Sequence, residues 1–119
     1  MSDCLFCRMV AGETPADVVH ETDRIFAFRD INPQAPTHVL VIPKEHHATA
    51  AALVAADPGL LAEVVAGTQA VALQEGLVTD DAAEPGYRLV TNTGPQAGQS
   101  VDHVHFHVLG GRRMQWPPG

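Results

Sequence analysis

The chain has 119 residues, enough for one domain with a core of its own. An apolar share of 45% with 18% charged residues is that of a globular protein and excludes general disorder. The formal net charge is −7 with a single lysine, Lys44, which argues against a groove for nucleic acid or an anionic membrane, although a small anionic ligand can still find a local pocket.

No apolar run approaches the length of a membrane span. Met1-Ser2-Asp3-Cys4 lacks the basic start and apolar stretch of a signal peptide. A cytoplasmic protein is therefore expected. The two cysteines, Cys4 and Cys7, form a C-x-x-C. In a reducing compartment that spacing suggests a metal site or a redox pair before a structural disulfide.

Residues 5–11 predict a short helix, stopped by Gly12 and Pro15. Residues 16–21 and 24–29 predict two strands joined by a turn at Thr22-Asp23. Residues 30–36 form a Pro-rich connection, and residues 38–42 predict a third strand ended by Pro43. Asp57 is a plausible N-cap with Pro58 at the first helical position. Leu60, Leu61, Val64, Val65, Thr68, Val71 and Ala72 then follow the helical period, and Gly76 can end the helix. This is the one long helix expected, with its stripe against a sheet. Residues 79–85 are acidic and polar and read as an exposed loop. Residues 87–92 and 101–109 predict the fourth and fifth strands, with a tight Gly/Pro loop between them. Residues 110–119 are too rich in Gly and Pro to be regular. Strands that mostly follow one another, with one long helix between the third and fourth, predict a single α+β domain over residues 1–119 with an antiparallel sheet.

The chemistry concentrates in His103-Val104-His105-Phe106-His107-Val108-Leu109. A strand sends alternate side chains to opposite faces, so Val104, Phe106 and Val108 should face the core and the three imidazoles the other side. A merely solvated edge would favour Thr, Lys and Glu over three His. Imidazole titrates near neutrality and serves as nucleophile when neutral and as acid when charged. The preceding Gly94-Pro95-Gln96-Ala97-Gly98-Gln99-Ser100 is suited to offering backbone N–H groups to an anion.

His103-x-His105-x-His107 resembles the motif of the histidine triad superfamily, and the chain looks like its Hint branch. Further segments carry the resemblance: Phe26-Ala27-Phe28-Arg29-Asp30-Ile31, Pro33-Gln34-Ala35-Pro36-Thr37-His38, Val41-Ile42-Pro43-Lys44, Gly98-Gln99-Ser100-Val101, and the ending Gly110-Gly111-Arg112 to Trp116-Pro117-Pro118-Gly119. It spans nearly the whole chain and implies a HIT-like fold. That fold is a five-stranded antiparallel sheet with one long and one short helix, paired into a homodimer with a continuous sheet. The tail with Trp116 would then reach the partner's active site.

The resemblance also implies roles. His105 is the nucleophile that attacks the α-phosphorus and becomes a nucleotidyl-histidine, later hydrolysed by water. His107 and Ser100 contact the phosphate and the leaving group. His103 belongs to the catalytic row, and His38 matches a further histidine beside it. Asp30 binds the ribose hydroxyls, as suits an acceptor of two O–H donors. Ile31 and Phe6 border the base, and Asn92, Gly98 and Gln99 belong to the phosphate loop. Taken alone, Asp30 also reads as a turn residue, Phe6 as core and His38 as surface. His107 stands where the transferase branch usually has Gln, which favours hydrolysis. Relatives with the C-x-x-C pair it with two His to bind a structural zinc, and Cys4, Cys7, His46 and His103 are the matching positions. The alternative is two free buried cysteines. His20 and His47 read as surface residues.

The function implied is hydrolysis of purine nucleoside 5′-phosphoramidates, including AMP–amine and AMP–lysine conjugates, with no cofactor required for catalysis. Rivals are a dinucleoside polyphosphate hydrolase, a nucleotide-binding interaction protein with negligible turnover, and a zinc-binding module. Purine nucleoside monophosphates are the expected ligands, with neither nucleic acid nor membrane as partner.

Overall fold

A computed structural model describes residues 3–79 and 85–119. Most of the predicted 79–85 loop lies outside the described residues. The elements run α1 (Leu5–Val10), β1 (Val18–Glu21), β2 (Ile25–Arg29), β3 (Thr37–Pro43), α2 (Ala50–Ala56), α3 (Pro58–Gln74), β4 (Tyr87–Val90), a single 3-10 turn (Pro95–Ala97) and β5 (Phe106–Gly110). The strands form one five-stranded sheet in the order β1-β2-β3-β5-β4, and every pairing is antiparallel. The expected α+β architecture is therefore present.

The central strands β2 and β3 are buried without alternation because both faces of the sheet are covered. On one face Ile25, Ala27, Val39, Val41 and Val108 pack with Leu60, Val64 and Val71 of α3. On the other, Phe26, Phe28, Leu40 and Ile42 pack against Phe6 of α1. The short helix thus closes a second, smaller core, and the site forms beside it.

The long helix starts as predicted: the Asp57 side chain accepts from the Leu60 amide at 3.0 Å, with Pro58 in the first turn. It ends at Gln74, and Gly76 just beyond it has a φ of +74°, which suits glycine best. Leu60, Val64, Thr68, Val71 and Ala72 are buried, whereas Val65 is exposed and Leu61 only half-buried, so the stripe is narrower than predicted. Gly67 completes it, because a Cβ there would meet Ile25 Cγ2 at 3.0 Å and Val41 Cγ1 at 3.1 Å. The helix rests on the sheet at that point by having no side chain.

Three differences from the sequence reading matter. A second helix, α2, precedes α3, capped by the Thr49 hydroxyl, which accepts from the Ala52 amide at 3.0 Å. The fifth strand begins at Phe106 rather than at residue 101, because the Val104 amide donates to the His47 carbonyl at 2.7 Å instead of joining the ladder. His47 is accordingly no surface residue: its side chain is 13% exposed and its Nε2 lies 2.7 Å from Glu45 Oε1. His20 is half-buried on β1. No described helix is long and apolar enough to cross a membrane.

Candidate active site and metal centre

Alternation along the histidine segment holds even where the strand does not. Val104 and Val108 are buried in the core under α3 and Phe106 packs against it, while the imidazoles turn the other way. They do not form one row, however. His105 and His107 line a cavity of about 570 Å³, with ring centroids 5.0 Å apart, whereas His103 turns toward the two cysteines.

Hydrogen bonds fix the state of each ring. His105 Nδ1 lies 2.8 Å from the His103 carbonyl, which can only accept. Nδ1 therefore carries the proton, and Nε2 of the neutral ring keeps its lone pair. The His105 carbonyl is itself held by the Thr91 hydroxyl, which donates to it at 2.9 Å. Phe6 meets the His105 ring edge-on at a centroid distance of 5.2 Å.

A second chain of bonds orients His107. The Gln34 amide donates to His38 Nδ1 at 3.0 Å, which leaves His38 Nε2 as the protonated nitrogen. That nitrogen donates to His107 Nδ1 at 2.8 Å, with Asp30 Oδ2 a further 3.5 Å neighbour. His107 must then carry its own proton on Nε2, which is buried without a partner among the described residues. A buried donor left unpaired is costly and marks a position where a ligand oxygen belongs.

Burial above all holds His38 below the ordinary imidazole range, opposed by the Asp30 carboxylate. His107 is lowered to about 4, first by burial, then by the charges of His105 and His38, with Asp30 acting in the opposite sense. Both rings are neutral at pH 7. His38 is buried, so it is a support behind His107 and no surface residue.

The remaining predicted residues divide. Phe6, Asp30, Ile31 and Ser100 line the cavity together with His105 and His107. Phe6 is core and cavity wall at once, and Asp30 is turn and cavity residue at once, its Oδ1 accepting from the Asn32 amide at 2.8 Å. Asn92, Gly98, Gln99 and Trp116 are not among the lining residues. The amides of Ala97, Gly98 and Gln99 already bond to carbonyls within their own loop. The Gln99 side chain ties the Gly94 amide to the Ala48 and Val101 carbonyls. The amides of Gly94, Ala97, Gly98 and Gln99 are thus engaged within the loop. Trp116 is 82% exposed. The sequence reading missed the apolar walls Leu5, Met9, Phe28, Leu40 and Val101. Their only signal was their apolar character, which core residues share.

Cys4, Cys7, His46 and His103 converge, with all four potential ligand atoms within 4.8 Å of one another. His103 Nδ1 lies 3.3 Å from Cys4 Sγ, 3.5 Å from Cys7 Sγ and 3.2 Å from His46 Nδ1. Ligands at zinc–sulfur and zinc–nitrogen bond lengths on a tetrahedron stand about 3.3–3.8 Å apart, so the spacing fits that metal. His103 Nε2 donates to the Pro43 carbonyl at 2.8 Å, which leaves Nδ1 as the lone-pair nitrogen aimed into the cluster. Burial lowers its pKa to about 4, so the ring is neutral, as a ligand must be. The Cys7 amide donates to Cys4 Sγ at 3.3 Å and holds that sulfur at the cluster.

The HIT domain family model matches residues 11–114. A HIT family hydrolase from Legionella pneumophila superposes with a TM-score of 0.89 at 50% identity, covering 98% of this chain and all of that one. A 14 kDa zinc-binding protein of Zea mays is 45% identical over 99% of this chain and 89% of its own length. Adenylylsulfatase HINT1 of Arabidopsis thaliana is 42% identical over 99% of this chain and 78% of its own length. With its triad, its Cys-x-x-Cys and this fold in place, the chain belongs to the HIT domain family, in the HINT branch.

Proposed function

We propose that this protein is a nucleotide hydrolase that cleaves purine nucleoside 5′-phosphoramidates, including AMP–amine and AMP–lysine conjugates, through a nucleotidyl-histidine. One observation carries this reading. His105 offers an Nε2 lone pair beside a buried, unpartnered Nε2–H on His107, at the wall of one cavity. Attack at phosphorus needs both, a nucleophile and a donor for the charge that develops on oxygen.

In this scheme Phe6 and Ile31 border the base, Asp30 accepts from the ribose hydroxyls, and Ser100 and His107 hold the α-phosphate. His105 Nε2 attacks phosphorus and the P–N bond breaks. The leaving amine takes a proton, without which it is a poor leaving group. A bound phosphate anion raises the proton affinity of the His38–His107 pair, which can then supply that proton. Water cleaves the nucleotidyl-histidine, giving AMP and restoring the neutral ring. The adenylylsulfatase name of the Arabidopsis thaliana relative fits chemistry at the same phosphorus with a different leaving group.

Cys4, Cys7, His46 and His103 are assigned to a structural zinc, in line with the zinc-binding name of the Zea mays relative. Four protein ligands leave no open position, so zinc supplies a cross-link there and no chemistry at phosphorus. These residues tie α1 to the backbone that orients His105, since the carbonyl of His103 holds His105 Nδ1.

Single-turnover cleavage of an adenosine 5′-phosphoramidate carrying a fluorogenic amine tests the assignment. Wild type should release amine and AMP, and His105→Ala should not. An inactive wild type that binds AMP would instead make the cavity a binding site.

A further inference from the structure

The cavity and the cysteine cluster meet at α1. Cys4 and Cys7 bracket the start of that helix, and its Leu5, Phe6 and Met9 line the cavity. Phe6 links the two directly: its ring centroid lies 5.2 Å from that of His105, 5.9 Å from that of His103 and 5.3 Å from that of Phe28. A six-residue helix has no stability of its own in water, so contacts with distant parts of the chain must hold it. The cluster supplies such contacts, from Cys4 to His103 across 99 residues and from Cys7 to His46 across 39.

The sulfurs are also within reach of solvent. Cys4, Cys7 and His46 line a second hollow of about 580 Å³, which shares Leu5, Ser100 and Val101 with the cavity. His46 is exposed and both cysteines are half-buried. A small oxidant can therefore meet the thiols without entering the nucleotide cavity. The two sulfurs stand within 4.8 Å of each other on one turn of chain. Side-chain rotation and a small backbone shift there bring them to the disulfide bond length of about 2.05 Å.

We propose that Cys4 and Cys7 are a thiol switch: a peroxide oxidises them to a disulfide, the metal leaves, α1 loosens and the cavity loses affinity for its nucleotide. One sulfur attacks a peroxide oxygen, breaking the O–O bond and leaving a sulfenic acid and hydroxide. The other sulfur attacks the sulfenic sulfur, forming the S–S bond and releasing a second hydroxide, and each hydroxide takes a proton to become water. The two sulfurs give up two electrons and the peroxide takes them. His46 and His103 alone are too few ligands for a closed tetrahedral zinc site. A cross-link between distant stretches is thereby exchanged for one within a single turn, which ties α1 to nothing else. The inference rests on the zinc assignment and on the nucleotide reading of the cavity.

Treatment of the zinc-loaded protein with hydrogen peroxide tests it. The readouts are zinc release to a chromogenic chelator, the disulfide by peptide mass spectrometry, and the AMP dissociation constant by calorimetry. Peroxide should release about one zinc per chain as the disulfide forms, and should weaken AMP binding about tenfold, the scale of one aromatic wall withdrawn from an apolar ligand. Dithiothreitol with added zinc should reverse both. Cys7→His keeps a ligand for zinc but cannot form the disulfide, so under peroxide its AMP constant should stay within about twofold. Met9→Leu removes an oxidisable side chain from the cavity wall and should respond as wild type does. Zinc retained under peroxide, or AMP affinity unmoved after zinc release, overturns the switch alone. So does a loss of AMP affinity in Cys7→His or none in Met9→Leu, either of which would place the effect on Met9. Protein purified without zinc overturns the zinc assignment, and wild type that fails to bind AMP overturns the nucleotide reading; the switch falls with either.

Discussion

At the scale of single residues, proton placement decides what the histidines can do. The same imidazole is a nucleophile, a donor or a metal ligand according to which nitrogen its neighbour occupies. His105 and His103 each give one nitrogen to a backbone carbonyl, so each keeps one defined lone pair. His107 is set by His38, and His38 by the Gln34 amide. His38→Ala should free His107 to adopt the other tautomer and leave a buried acceptor unpaired, at a cost of about 1–3 kcal/mol. Turnover of the phosphoramidate should fall about 10–100-fold, with the melting temperature lowered by about 3–15 degrees. Turnover within twofold of wild type would remove His38 from the relay. The pH dependence of stability follows from the same burial. His107 takes its proton near 4 in the fold but near 6.5 once unfolded. In that window the unfolded chain binds more protons, so the contribution is complete above about pH 6.5 and is lost as pH falls toward 4. Melting temperature should decline from about pH 7 to 5, and His107→Gln should flatten the decline. An equally steep series in the variant would show that other groups govern it.

At the scale of elements, continuous apolar runs mark strands covered on both faces. The stretch from Ile25 to Phe28 and the stretch Thr37–Pro43 carry no alternation, and each still feeds two cores. The cap at Asp57 and the stop at Gly76 were legible because they depend on neighbours in sequence. The helix α2 was not, since an Ala-rich stretch shows little amphipathic period, and only Leu53 is buried in it. Nor was the true start of β5, which a contact from His47, far along the chain, determines. The packing of α3 gives a sharp test at Gly67, where any side chain meets Ile25 and Val41. Gly67→Leu should cost about 1–3 kcal/mol by overpacking. The urea midpoint should fall with little change in slope, and an unchanged midpoint would mean that the helix can lift off the sheet freely.

At the scale of the whole molecule, the Cys4-Cys7-His46-His103 cluster joins three distant stretches of chain around one point. Zinc bound only by the folded state stabilises it by mass action. Purified protein should contain zinc near one equivalent, and a strong chelator should lower its melting temperature by several degrees. Cys4→Ser should show neither the metal nor the response. Full zinc content in Cys4→Ser would sink the assignment. The homodimer proposed by family resemblance predicts a dimer mass in analytical ultracentrifugation at micromolar concentration, and a monomer there would count against it.

The sequence by itself determined the chemistry on offer, because three His at a spacing of two and a C-x-x-C are local patterns whose meaning survives without coordinates. It also determined the fold class, through strand and helix signals that act over a few residues, and the family, through motifs spread along nearly the whole chain. Only the tertiary structure decided how the His divide. His103 belongs to the cysteines and His105 and His107 to the cavity, because contacts across about sixty residues or more place their partners. The same holds for the loop at residues 94–100, where the amides of Gly94, Ala97, Gly98 and Gln99 bond within the loop. Spacing along a chain fixes which side chains share a face. Which nitrogen holds a proton depends on groups that only folding brings near.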